Sequence, residues 1–357
     1  MVRHRGPFVV ALVWLFLLAS ACGGDIELSD DDDPQMPGDG GDGDTATTGG
    51  DGDTTGGDGD TTGGDGDTTT GGDGDGEGDT TTGGDGDGDT TTGGDGDGDG
   101  DGDEPDGPSP ILPTATAPCP SFESGTVRFT VDGRERQARV WIDPAKASAT
   151  SGPIVFYWYG TGGSPAQAIS SLESGIDQIV DAGGMVVAPT HVNGGQFPWI
   201  SDPQTDFRLA DEVVACAVET LGNDGRRVHS LGFSAGGLYT TAFGYARSNY
   251  LASVAAYSGG GRGTLQNPDN PLAALIFHGG PGDNVFGQDF ERSSTEWRDD
   301  LVVKGGFTLL CDHGRGHRTP LAGGPAVTAF FFDHPYGVES AYRESLPGSV
   351  PDYCVAR

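Results

Sequence analysis

Basic side chains are scarce in this 357-residue chain: 19 Lys and Arg stand against 54 Asp and Glu, for a formal net charge of −35. Between Gly23 and Ser109 there are none, while 29 of the acidic residues fall in that stretch. A nucleic-acid binder needs a net basic footprint to displace counterions from phosphates, and this chain has none. Cysteine is also sparse, at 5 residues, and the absence of a Cys-x-x-Cys pair removes the usual zinc-knuckle spacing. No apolar run approaches the roughly 20 residues needed to span a bilayer core. Neither a nucleotide-binding glycine loop nor a metal triad is present, so no metal or cofactor is expected.

From Ile111 onward 25 acidic residues face 17 basic ones, an ordinary surface balance. The charge therefore describes two different materials joined end to end.

Arg3 and Arg5 precede an apolar run from Phe8 to Ala19, followed by Ala19-Ser20-Ala21-Cys22. A positive start, a short apolar stretch and small residues at its end read as an export signal over 1–21. The segment resembles a bacterial lipoprotein signal, with Ala19 where that pattern usually has leucine. The resemblance implies that Cys22 becomes the lipidated first residue of the mature chain. Acyl chains would then hold the protein to a membrane face, each buried methylene contributing about 0.8 kcal/mol. Gly23 after the cysteine is similar to the outer-membrane-sorted class, so the expected location is the cell surface or outer membrane.

Residues 22–117 are expected to form a tether. From Asp25 to Gly107 the chain is an irregular repeat of Thr-Thr-Gly-Gly-Asp-Gly-Asp with almost no apolar side chain. Glycine raises the entropic cost of ordering and the aspartates repel one another, which predicts disorder. A coil of about 85 residues spans on the order of 50 Å or more. An ordered calcium β-roll needs an apolar residue in each repeat to fill the coil, and Thr, Gly or Asp stands there instead. Six prolines from Pro105 to Pro120 form a stiffer neck.

Residues 118–357 are long enough for one sizeable core. Cys119, Cys216, Cys311 and Cys354 in an exported chain suggest two disulfides with three possible pairings. The expected pairing is 119–354, joining the domain ends, and 216–311.

Val127–Val131 and Gln137–Ile142 predict a hairpin turning at Asp132-Gly133. The apolar runs from Pro153, from Met185 and around Arg227–Phe233 predict buried strands. Shorter strands are expected at Val254–Ser258, Leu275–His278 and Phe307–Cys311. Phe207, Ala210, Val213, Val214, Ala217 and Leu221 recur at helical spacing over Asp206–Leu221. Further helices are expected at Gly237 to Tyr245 and, as the terminal element, Ala326–Phe332. Alternating strands and helices with glycine-rich turns argue an α/β three-layer fold with a mostly parallel sheet.

Gly232-Phe-Ser-Ala-Gly-Gly237 lies between a predicted strand and a predicted helix. Such a turn holds a serine, here Ser234, at its apex with a helix amino terminus beneath it. With Tyr159-Gly-Thr-Gly-Gly163, Asp206-Phe207, His278-Gly279, Asp283 and Gly316-His317, the chain resembles the α/β-hydrolases. More narrowly it is similar to secreted polyhydroxybutyrate depolymerases and feruloyl or acetylxylan esterases. The resemblance covers about 155–320 and implies serine hydrolysis of esters. Tyr159 departs from it, standing where many members have histidine.

In this fold the acid and then the histidine follow the serine. His317 is expected as the base, with His313 as its main competitor and His334 the remaining downstream histidine. Asp283 is expected as the acid that orients it, with Asp289 as the alternative. The backbone N–H groups of Ala235 and Thr161, or a neighbour of Thr161 in Gly160–Gly163, would form an oxyanion hole. His229 reads as a core or edge histidine. Trp199, with Phe197 and Pro198, would line the acyl pocket or simply pack its loop. The expectation is a monomeric serine esterase, tethered to a membrane, acting on hydroxyalkanoate or plant cell-wall esters. An inactive surface-binding module and a serine peptidase or amidase are the alternatives.

Overall fold

Seven-residue and nine-residue runs whose buried positions recur every second residue come first: β1 (Gly125–Val131) and β2 (Arg134–Ile142) pair antiparallel through the Asp132-Gly133 turn. The computed structural model describes residues 107–191, 199, 203–270 and 272–357. The export signal, Cys22 and the tether as far as residue 106 lie outside the described residues, as do Phe197 and Pro198.

Asp143 caps α1 (Pro144–Thr150), accepting from the N–H groups of Ala145 and Lys146, and proline occupies the first helical position. The strands that follow lack alternation because both faces are covered. They are β3 (Ile154–Trp158), β4 (Met185–Pro189), β5 (Val228–Phe233), β6 (Ser253–Tyr257) and β7 (Ala273–His278). Between them lie α2 (Gln167–Leu172), α3 (Gly175–Asp181), α4 (Pro203–Leu221) and α5 (Ala235–Ala246). A two-strand ribbon, β8 (Asn284–Val285) and β9 (Gln288–Asp289), leads into α6 (Phe290–Val303). The chain then forms β10 (Thr308–Asp312), α7 (Gly323–Asp333) and β11 (Cys354–Ala356).

Among the described residues nine strands make one sheet in the order β1-β2-β4-β3-β5-β6-β7-β10-β11. Its centre from β4 to β10 is parallel and its outer pairings are antiparallel. This is the α/β-hydrolase sandwich. The parallel strands all end at one edge, where the loops after β3, β5, β7 and β10 meet.

Three features differ from the sequence reading. The pairing Cys119–Cys354 with Cys216–Cys311 is incorrect: the bonds are Cys119–Cys216 and Cys311–Cys354, with Cα separations of 5.3 and 4.0 Å. Closeness of the domain ends was the wrong guide, because β11 pairs with β10 in a register that sets Cys354 opposite Cys311. The neck is also not a free spacer. Asn249 donates to and accepts from Ile111, and the buried Glu212 carboxylate accepts from Thr116 N–H, Thr116 Oγ and Ala117 N–H at 2.8 to 3.1 Å. Among the described residues of the neck, the Pro108 carbonyl also meets the body, accepting from Arg226. Finally, α7 is not the last element, and α6 and α1 were not anticipated. The inward stripe of α6 is narrow, with Phe290, Trp297 and Leu301 buried beside a polar Ser294.

Candidate active site

The turn from β5 into α5 is built on close approach. A Cβ on Gly232 would lie 2.0 Å from the Gly236 carbonyl oxygen, and one on Gly236 would lie 1.9 Å from that of Trp158. Only glycine fits at either position. Between them Ser234 adopts φ +56°, ψ −117°, a conformation costly for a side-chain-bearing residue. Its N–H is held by the Tyr257 carbonyl at 2.9 Å, while its own carbonyl accepts from Leu238 in the first turn of α5. The hydroxyl is therefore fixed at the apex, beside the helix amino terminus.

His317 comes from the loop after β10. Its Nε2 is 2.8 Å from Ser234 Oγ and its Nδ1 is 2.7 Å from Asp283 Oδ1. The imidazole lies between the rings of Phe233 and Phe290, with centroids 5.1 and 4.8 Å away. Asp283, in the loop after β7, is buried. Its second oxygen accepts from Ser258 Oγ at 2.8 Å and from the Gly279 N–H at 2.9 Å. Burial by itself pushes this carboxyl up, but the hydrogen bonds from His317, Gly279 and Ser258 outweigh it and hold the group below its ordinary 3.8. A carboxylate so held fixes the proton of His317 on Nδ1 and leaves Nε2 free to accept from the serine hydroxyl.

The competing residues lie in other environments. Asp289 caps α6, accepting from Arg292 N–H at 3.0 Å. Among the described residues neither ring nitrogen of His313 has a hydrogen-bond partner, and burial pushes its pKa down. His334 is paired to the Phe330 carbonyl and to Ser340 Oγ, and burial lowers it to about 4. His229 is fully buried at the start of β5, stacked on Phe331 with Nδ1 on Ser253 Oγ; desolvation takes it well below 6.5.

Ala235 is the first residue of α5, where helix N–H groups have no intrahelical partner. Thr161 follows β3 in a turn closed by Gly163 N–H to the Gly160 carbonyl at 3.0 Å. A Cβ on Gly160 would be 3.1 Å from Ser234 Cβ, so this turn lies directly beside the serine. Ala235 follows Ser234 and the Thr161 turn adjoins it; N–H groups on two such turns can donate to a negative oxygen formed between them. Trp199 is buried rather than open to the surface, packed on Trp158, Tyr159 and Tyr239.

Sequence reasoning missed Ser258, Phe233 and Phe290. Phe233 was in view as the second residue of the glycine-serine motif. Ser258 closes β6 at φ +56°, in a Tyr-Ser-Gly-Gly run whose only warning is its glycine content.

No protein-family model matches the chain. It is 24% identical over 232 residues to feruloyl esterase D of Neurospora crassa, a match covering 60% of this chain and 76% of that protein. Among solved structures, native sOPH superposes with a TM-score of 0.53 at 17% identity, over 69% of this chain and 97% of its own. A serine-to-alanine variant of pOPH in complex with pNPB gives 0.56 at 17% identity, over 69% and 96%. The chain thus has the α/β-hydrolase fold and is similar in sequence to a feruloyl esterase.

Proposed function

We propose that this protein is a serine esterase with Ser234 as nucleophile, His317 as general base and acid, and Asp283 as the residue that orients the imidazole. The observation that carries the reading is the unbroken chain Ser234 Oγ–His317–Asp283 at 2.8 and 2.7 Å, with the serine on a strained turn. Ser234 Oγ attacks the ester carbonyl as its proton passes to His317 Nε2. Negative charge gathers on the former carbonyl oxygen, facing the N–H groups of Thr161 and Ala235, whose combined stabilisation is typically several kcal/mol. The C–O bond to the leaving group breaks, and His317 returns the proton to the departing alcohol. Water then adds to the acyl-enzyme, giving its proton to His317, and the acid leaves as Ser234 recovers its hydrogen.

The similarity to a feruloyl esterase supports plant cell-wall esters of hydroxycinnamates as the substrate class, with polyhydroxybutyrate as the competing one. A panel of p-nitrophenyl acetate, methyl ferulate, acetylated xylan and polyhydroxybutyrate decides. Turnover of polymer and short ester without methyl ferulate would move the assignment to the polyester branch. Labelling with a fluorophosphonate tests the chemistry itself; an unlabelled Ser234 would overturn the esterase reading in favour of a binding module.

We also propose that residues 1–21 direct export, that Cys22 is lipidated, and that 22–106 tether the enzyme to a membrane. Such a tether joins the domain at Pro108, near Arg226, at the opposite end of β5 from Ser234. That separation is about 20 Å for a six-residue strand. The mass of the mature amino-terminal peptide tests it, and an unmodified Cys22 excludes the anchor.

A further inference from the structure

Thr161 donates to the oxyanion only if its peptide plane faces the serine, and the peptides around it are held both within the turn and from outside it. The plane joining Gly160 to Thr161 is fixed through its carbonyl, which accepts from Gly163 N–H at 3.0 Å. In a trans peptide the N–H points opposite the C=O, so this bond directs the Thr161 N–H away from Gly163. The preceding plane, joining Tyr159 to Gly160, is gripped at both ends. Its carbonyl accepts from the Trp199 indole N–H at 2.8 Å, and its N–H donates to Gln167 Oε1 at 3.2 Å.

Both grips are themselves supported. Gln167 is the first residue of α2, and its own N–H donates to Ser164 across the turn. Trp199 is held at φ +71°, a conformation that persists only where the surroundings impose it. Its ring contacts Trp158, Tyr159, His191 and Tyr239 at centroid distances of 5.1, 4.8, 5.7 and 5.7 Å. Tyr159 adds a second tie. Its hydroxyl is 2.6 Å from His191 Nδ1 and accepts from His191 N–H at 3.2 Å, while burial keeps the phenol protonated. The Tyr159 carbonyl also lies 2.8 Å from where a Gly236 Cβ would stand, next to the second oxyanion donor, Ala235.

We infer that Trp199 and Gln167 are positioning residues of the oxyanion hole, clamping the Tyr159–Gly160 peptide so that Thr161 N–H is aimed before substrate arrives. This rests on the esterase reading and deepens it. It also gives Trp199 a role distinct from lining an acyl pocket: its indole N–H meets a backbone carbonyl and its ring is buried among other rings.

The test compares the full-length protein with Trp199→Phe, which keeps an aromatic ring and removes the N–H, with Gln167→Met, which removes the acceptor, and with the double variant. Steady-state turnover of p-nitrophenyl acetate and inhibition by a short alkyl boronic acid, which adds to the serine as a tetrahedral anion, are measured for each. The expected result is a fall in kcat of about 10- to 100-fold in each single variant, less than the loss from deleting a donor outright. KM stays within about twofold, and boronate affinity weakens in parallel with kcat. Because both groups act on one peptide plane, the double variant loses little beyond the worse single one. A kcat within about twofold of the parent in Gln167→Met overturns the inference, and this arm decides alone if Trp199→Phe does not fold. A raised KM at unchanged kcat in Trp199→Phe also overturns it and returns Trp199 to the pocket wall. A parent protein inert to ester, boronate and fluorophosphonate alike would instead remove the esterase reading.

Discussion

His317 at the carboxyl edge of the sheet and two histidines at its amino edge meet opposite fates. At the carboxyl edge His317 lies between two phenylalanine rings, with one nitrogen on a carboxylate and the other on a hydroxyl. At the amino edge His229 and His334 are buried among rings and paired to neutral groups, and desolvation keeps both uncharged. A histidine serves acid–base chemistry when its charged form has somewhere to be stabilised, and of these three only His317 is hydrogen-bonded to a carboxylate, that of Asp283. The edges differ in backbone as well. Ser234 and Ser258, closing β5 and β6, both take positive φ, while the amino edge binds the neck through ordinary hydrogen bonds from Asn249 and Arg226.

The comparison breaks hardest at the serine. Ser234→Ala should lower kcat/KM by at least about 10⁴-fold with the melting temperature little changed, measured on p-nitrophenyl acetate and by thermal unfolding. The next effect belongs to the amino edge. Because folded His334 is neutral down to about 4 while the unfolded chain takes up protons near 6.5, the unfolded state binds more protons between those values. Stability therefore falls as pH drops from about 6.5 to about 4, by on the order of 3 kcal/mol from this residue. His334→Gln should flatten that slope in urea unfolding; an unchanged slope would assign it elsewhere. Asp283 acts at lower pH, since the stability from its lowered value is present above 3.8 and lost only as pH falls through its folded value.

Smaller effects sharpen the contrast. Glu212→Ala leaves the Thr116 and Ala117 donors without their acceptor, and should cost about 2 kcal/mol of stability while kcat stays the same. A matching loss of kcat would show that the neck and the site are coupled. Ser258→Ala removes one of the donors on Asp283 and should lower kcat/KM about tenfold. With less support for the carboxylate, the Asp283 pKa rises, so the loss of its contribution to folded stability moves to higher pH.

Local patterning was enough to place most elements, from the hairpin at Asp132-Gly133 to the strands and α4, because apolar spacing records which faces are covered. The serine turn pointed to Ser234, chain order left several acids and histidines open, and the resemblance to the α/β-hydrolases favoured Asp283 and His317; the fold brings these three within hydrogen-bond reach. Helix α6 went unread although Asp289 caps it and Phe290, Trp297 and Leu301 mark its inner face, because only three of its 14 residues are buried apolar ones and Val302 and Val303 lie outside the stripe. Residues such as Ser258 and Gln167 carry no pattern of their own; their importance lies in which atom they meet.

Charge segregation, the glycine-rich repeat, the strand–helix alternation and the serine turn are properties of neighbours along the chain, so the amino-acid order settled them. Disulfide partners, the docking of the neck on α4, the two rings around His317 and the grip of Trp199 on the Tyr159 carbonyl depend on strand order and register. Those bring together atoms between 27 and 97 residues apart, and no local preference encodes such a meeting. Cys311 and Cys354 join because β11 returns to the edge of β10, a choice made by the packing of the whole sheet.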